Sequence, residues 1–312
     1  SDNSLKAIAD SEAEDRAALK TLQGFDRAAL SPADQLNYDT YLWELQQSIA
    51  RQKFREYLQP VSHQGGVQTL DGVSEALNFA GAKDYRDWLA RMRAVPTVVD
   101  QTMALMREGV KAGNLPPRVL MDRVPGQIAS QVVADPEQSP FFRPFKTMPP
   151  SIPAAERDAL RAEARQVVTE RIVPAYRRFQ TYFNDQYLPK TRADIAASAL
   201  PDGKAYYDFL AGYYTTTSLT ADEIHAIGLK EVARIRGEME KIKAEVGFQG
   251  SIAEFFTFLR TDPRFFEKTP EALLQRYRAT AKRIDPELVK VFRTIPRQPY
   301  GVRPIPDNIA PD

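Results

Sequence analysis

The 312-residue chain is 43% hydrophobic and 27% charged, enough apolar material for one large domain or two small ones. Its 42 Lys and Arg nearly cancel its 41 Asp and Glu, which excludes a protein dedicated to wrapping nucleic acid, since counterion release needs a concentrated cationic excess. The absence of cysteine excludes disulfides, a thiolate nucleophile and zinc–thiolate sites, and two histidines, His63 and His225, are too few for a three-histidine zinc site.

No apolar run approaches the roughly 18–20 residues of a membrane span. The opening SDNSLKAIADSEAEDRAALK has no basic stretch followed by an apolar one, so no signal peptide is visible. Helical spacing predicts helices over Leu5–Leu22, Pro32–Tyr57, Asp84–Met92 and Thr97–Ala112. The best alternating stretch, His63 to Leu70, is short and glycine-rich. Six prolines over Asp135–Pro153 read as a long surface connection. A long helix follows over Pro153–Tyr187, with a kink or break expected at Pro174, because proline removes a backbone donor and crowds the preceding turn.

From Ile224, apolar residues recur at Ile227, Val232, Ile235, Met239, Ile242 and Val246, so the longest helix is expected near 221–246. A Thr220/Glu223 capping box opens it, and Gly247-Phe248 fits a Schellman ending. Ser251 with Glu254 predicts a second capping box. Thr269-Pro270 and Asp285-Pro286 each place a capping side chain before proline at a first helical position. Five prolines over Ile295–Pro311 predict an extended tail. The expectation is an all-α fold: a multi-helix array forming a single helical domain over 1–312, with subregions 1–134 and 154–294 joined by the proline-rich connection 135–153, and an extended C-terminal tail.

Charge is uneven: residues 1–50 hold nine acidic and four basic side chains, residues 276–303 eight basic and two acidic. These are either two solvated faces or, at Arg293, Arg297 and Arg303, a site for a carboxylate, which arginine forks suit. His63 sits in the turn Pro60-Val61-Ser62-His63-Gln64-Gly65-Gly66, where glycines allow a ligand to approach the backbone; alternatively it only ties the turn together. His225, in the first turn of an amphipathic helix, reads as a packed or surface residue. The run Tyr206-Tyr207-x-Phe209-x-x-x-Tyr213-Tyr214 is core at helical spacing, or lines a wet groove through its hydroxyls. Nothing in the residues specifies a reaction.

The segments YYTTTSLTADEIHAIGLKEVARIRGEMEKI, GFQGSIAEFFTFLRTDPRFF and EALLQRYRATAKRIDPELVKVFRTIPRQPYGVRPIP, with LSPADQLNYDTYLWELQQSIARQKFREYLQPVSHQGG earlier, resemble the bacterial family called domain of unknown function 885. The resemblance spans most of residues 30–312. It implies relatives of zinc metallopeptidases, mostly helical and roughly twice this length, often exported or lipid-anchored at the cell envelope. In that family a metal-binding segment of H-E-x-x-P-G-H-H type follows the PYGVRPIP stretch, and this sequence contains none. The resemblance therefore implies an N-terminal half without catalytic or metal-binding residues, inactive alone, with zinc expected only in the missing C-terminal half, its partner. This half would form one wall of a groove for a peptide substrate, with His63, Gln64, Tyr213, Tyr214, Arg297, Tyr300 and Arg303 as contact candidates. The alternative is a non-catalytic helical binding or scaffold protein of the cell envelope. The reading frame beyond Asp312 separates the two.

Overall fold

The computed structural model describes residues 2–305. Helix takes up 72% of the chain, and no strand occurs among the described residues. The stretch from His63 to Leu70 is accordingly not a strand: it is a tight turn leading into a 3₁₀ segment, Val67–Ala76. The chain divides into two compact units, 1–221 and 222–312.

In the first unit, α1 (Leu5–Leu22) and α2 (Pro32–Gln52) form a hairpin on which only Leu45 is buried. The core is built instead on α3 (Ala82–Ala112), at 31 residues the longest helix described. The expected Asp84–Met92 and Thr97–Ala112 are thus one helix, which runs through Pro96. Its buried stripe includes Tyr85, Trp88, Leu89, Met92, Val99, Met103 and Met106, and burying side chains of this size contributes about 1.5–3 kcal/mol each, more than enough to outweigh one missing backbone bond. The Asp84 carboxylate accepts from the Gly81 and Ala80 amides and fixes the start.

Short helices α4 (Arg118–Met121) and α5 (Val124–Ala129) lead into the proline-rich segment. That segment is not a surface connection. Its prolines start two 3₁₀ turns, Pro136–Gln138 and Pro140–Phe142, capped by Asp135 and Ser139, and α6 (Arg143–Lys146) follows. These turns drive Phe141, Phe142, Phe145, Met148 and Ile152 into the core. Trp88 donates its indole N–H to the Phe141 carbonyl at 3.1 Å and stacks on the Phe141 ring.

No break occurs at Pro174. α7 (Ala154–Val167) and α8 (Val173–Tyr182) are joined by a π-helical turn, Val168–Ile172, at helical dihedrals throughout, and a second π-turn, Phe183–Tyr187, follows. The Val173 amide bonds to the Val168 carbonyl, so the hydrogen-bond register widens just before the residue that has no amide proton. The first unit closes with α9 (Gly203–Thr215).

The second unit contains α10 (Ala221–Glu245), α11 (Ile252–Thr261), α12 (Pro270–Ile284) and α13 (Leu288–Val291). α10 has 25 residues, so the longest helix lies elsewhere than expected. The Schellman closure at Gly247, the Ser251/Glu254 box and the Thr269 cap are all present. A short 3₁₀ turn, Asp285–Glu287, follows α12 directly and leads into α13, but Asp285 does not cap it: its carboxylate accepts from Lys282 and Tyr300 instead. Phe248, Phe255, Phe258 and Phe265 cluster at this unit's centre, with Phe255 buried. No residue of α10 is buried. From Phe292 the tail is non-helical; its last part, 306–312, lies outside the described residues.

Candidate functional site

The predicted contact residues occupy three places. His63 and Gln64 form the tip of a reverse turn closed by Ser62 and Gly65, whose amides donate to each other's carbonyls at 2.8 and 3.2 Å. A belt of glutamines holds this turn. Gln68 donates to the Ser62 carbonyl at 2.8 Å, Gln127 of α5 to the His63 carbonyl at 2.8 Å, and Gln131 to the Gln68 carbonyl at 3.1 Å and Asp71 at 2.8 Å. Beneath it, buried Tyr176 donates to the Val67 carbonyl at 2.6 Å, and burial pushes its phenol well above the ordinary tyrosine range. Gly66 has φ of 145°, and a Cβ there would fall 2.6 Å from Gln68 Oε1, so the turn needs glycine. His63 is held by its backbone: its Nδ1 is buried and without a partner, while Gln64 is exposed. The sequence reading missed Gln68, Gln127 and Gln131, since uncharged amides 59 to 63 residues apart leave no periodic signal.

Tyr213 and Tyr214 belong to an aromatic wall where α9 faces α2 and the turn after it. Trp43 stacks on Tyr213 with centroids 5.4 Å apart, Phe54 packs against Tyr206 at 5.0 Å and Phe209 at 5.4 Å, and Tyr214 meets Tyr213 edge-on. The Arg51 guanidinium lies 5.8 Å from the Tyr213 centroid and grips both Glu56 oxygens at 2.6 Å. Buried Asn114 donates to the Phe54 and Arg55 carbonyls and accepts from Gln59, which fixes the turn in which Arg55 adopts a left-handed conformation. A hollow of about 240 Å³ opens here, lined by Phe54, Glu56, Gln59, Asn114, Leu200 and Tyr206 among others.

The electrostatics of this hollow favour binding over proton transfer. Hydrogen bonding to Glu56 raises Arg51 further above its already high value, and burial, with Glu56 adding to it, raises the Tyr206 phenol. Neither exchanges a proton near neutrality, and both Glu56 oxygens are engaged. Stacking faces, a fixed cation and amide groups suit an extended chain with aromatic or apolar side chains. Among the described residues, no group of three or more His, Cys, Asp and Glu is placed to hold a metal. His225 is exposed on α10.

Arg297, Tyr300 and Arg303 lie in the tail of the second unit, all exposed. Tyr300 donates to Asp285 at 2.9 Å, and Arg278 donates to the Val302 carbonyl at 3.1 Å, so the tail docks on α12. Lys282 first, then the Tyr300 hydroxyl, holds the Asp285 carboxyl below its ordinary 3.8, and Asp285 raises the Tyr300 phenol above its ordinary 10.0. A depressed carboxyl contributes above its unfolded value and is lost as pH falls through the folded one; a raised phenol contributes below its unfolded value and is lost as pH rises through the folded one. Amide resonances of residues 300–303 are therefore expected to hold steady from about pH 4 to pH 10 and to move outside that window. In Tyr300→Phe these amides should exchange faster with solvent throughout. Unchanged exchange would show that the tail is held by other contacts.

The first unit thus presents aromatic faces, a guanidinium held by Glu56 and amide groups around this hollow. The chain belongs to the bacterial family described as "Bacterial protein of unknown function (DUF885)", which matches residues 1–312. Comparison with curated proteins gives no match. Among solved structures, the chain is similar to the crystal structure of a "putative lipoprotein" from Colwellia psychrerythraea, with a TM-score of 0.79 and 21% identity over 92% of this chain and 52% of that one. At this identity the likeness establishes the fold. The chain thus spans about half the length of that protein. No described helix is long and apolar enough to cross a membrane.

Proposed function

We propose that this chain is the N-terminal helical half of a metallopeptidase-like hydrolase of the cell envelope and forms one wall of its substrate groove. The metal-bearing half is its partner and supplies zinc and the acid–base groups. The observation that carries this reading is the uncovered face of α10: Ile227, Val232, Ile235 and Ile242 recur at helical spacing and are 40–56% exposed, and Val246 just past its end continues the stripe. A stripe of that kind calls for a covering surface. The aromatic wall around Tyr213 and Tyr214 supports a peptide-binding role on the first unit, and exposed Arg297 and Arg303 would meet a substrate carboxylate.

Metal analysis of the dialysed 312-residue chain, with a fluorogenic peptide assay, tests the division of labour. The expected result is zinc well below one per chain and no chelator-sensitive cleavage. The form carrying an H-E-x-x-P-G-H-H segment should cleave peptides, lose activity with chelator and regain it with zinc. In that form Tyr213→Ala should raise KM with little change in kcat. One tightly held zinc on the 312-residue chain would overturn the reading, as would a longer form that holds zinc but cleaves nothing.

A further inference from the structure

A second hollow of the first unit, about 540 Å³, lies between α3 and α8 with the π-turn that follows it. Three guanidinium groups line it, Arg107, Arg177 and Arg178, against one carboxylate, Asp100, which leaves +2. Arg178 spends its charge on Asp100 at 3.2 Å. Arg107 lies 4.8 Å from the centroid of the buried Tyr182 ring, which holds it by a cation–π contact and leaves its N–H groups free of any carboxylate among the described residues. Arg177 likewise pairs with no described carboxylate. Thr181 and Gln186 add neutral donors to the lining, and Met103 adds an apolar patch.

The helix that carries most of these groups departs from α geometry on both sides of them, with π-turns at Val168–Ile172 and Phe183–Tyr187. Such turns recur at functional sites. The second one contains Gln186 and leaves two buried polar atoms, Asn184 Oδ1 and Tyr187 Oη, without partners. Each such atom costs stability, so the turn is not arranged for stability alone. Like-charged guanidinium groups gathered around a cavity disfavour one another unless an anion sits among them. Arginine forks match phosphoryl oxygens two at a time, and a phosphate monoester carries close to the two negative charges that the hollow lacks.

We propose that this hollow binds the phosphoryl group of a small phosphate monoester, through Arg107 and Arg177 with Arg178 and Thr181 beside them. The site is independent of the aromatic wall and of the hydrolase reading.

The test is titration of the 312-residue chain at about 0.15 M salt, where long-range attraction between exposed charges is largely screened. Two probes are used: phenyl phosphate in solution, and vesicles of phosphatidylcholine containing phosphatidic acid. Saturable binding of phenyl phosphate is expected, weakened about tenfold by Arg107→Ala and by Arg177→Ala. Arg260→Ala, in the second unit, should bind as the parent does. Both lining variants remove exposed side chains, so melting should be unchanged. Binding to the vesicles alone, lost in the same variants, places the phosphoryl group on a lipid. Failure of both probes overturns the proposal. So does equal weakening by Arg260→Ala, or succinate binding as tightly as phenyl phosphate.

Discussion

Phe141→Ala is expected to lower the stability of the first unit by about 3–5 kcal/mol, the range for deleting a buried aromatic ring. Phe141 is 1% exposed, stacks on Trp88 of α3 with ring centres 5.9 Å apart and packs against the Tyr176 ring of α8 at 6.0 Å, so its removal leaves a void that both helices border. The matching control is Val232→Ala on α10, where the side chain is 56% exposed and the change should stay within about 0.5 kcal/mol. The two tryptophans, Trp43 and Trp88, both lie in the first unit, so indole fluorescence in urea reports that unit, while far-ultraviolet dichroism follows both. A small loss in Phe141→Ala would mean that the proline-rich segment detaches easily. A loss above about 2 kcal/mol in Val232→Ala would mean that the α10 face is packed in solution.

Apolar periodicity ranks these two positions the other way round. Periodicity locates helices well, since it depends on the chain alone, and α1, α10, α11 and α12 lie where spacing and caps put them. It does not say what covers a face. α10 has the clearest apolar period in the chain and buries nothing, whereas Asp135–Pro153 has no period and supplies five buried side chains to the core. Composition misleads there because proline is read as punctuation, although at the first position of a turn it fixes φ and aims the following aromatics inward. Pro96 and Pro174 mislead in the same sense: helices held by a long buried stripe absorb a missing donor, one directly and one through a π-turn.

The site is legible in unequal parts. Tyr213 and Tyr214 stand out as neighbours in an aromatic run, but Trp43, Arg51 and Phe54, which complete the wall, come from α2 and the turn after it, more than 150 residues earlier, and reach it only through the fold. The Arg107–Arg177 hollow is likewise invisible in sequence, because its arginines are about 70 residues apart and each reads as an ordinary solvated residue of its own helix.

The aromatic hollow also depends on a glycine whose substitution has a sign worth measuring. Gly109 lies inside α3, where alanine would normally be favoured by about 1 kcal/mol through helix propensity. At this position a Cβ would lie 2.6 Å from the Leu58 carbonyl oxygen and 3.1 Å from that of Asn114. Both are backbone atoms, so no side chain can swing aside. The Leu58 carbonyl belongs to the turn that carries Glu56, and Asn114 fixes the carbonyls of Phe54 and Arg55, so a displaced turn opens the hollow at its floor. Overpacking of this kind costs about 1–3 kcal/mol, and more where backbone must move, which outweighs the propensity gain. Gly109→Ala is therefore expected to destabilise the first unit by roughly 2 kcal/mol and to shift the emission of Trp43, which stacks on the same wall. Gly126, in α5, meets nothing within 4 Å of an added Cβ, and Gly126→Ala should leave stability unchanged or raise it by up to about 1 kcal/mol. If Gly109→Ala proves as stable as Gly126→Ala, with Trp43 emission unmoved, then the turn bearing Glu56 slides freely over α3, and the hollow is not a preformed site.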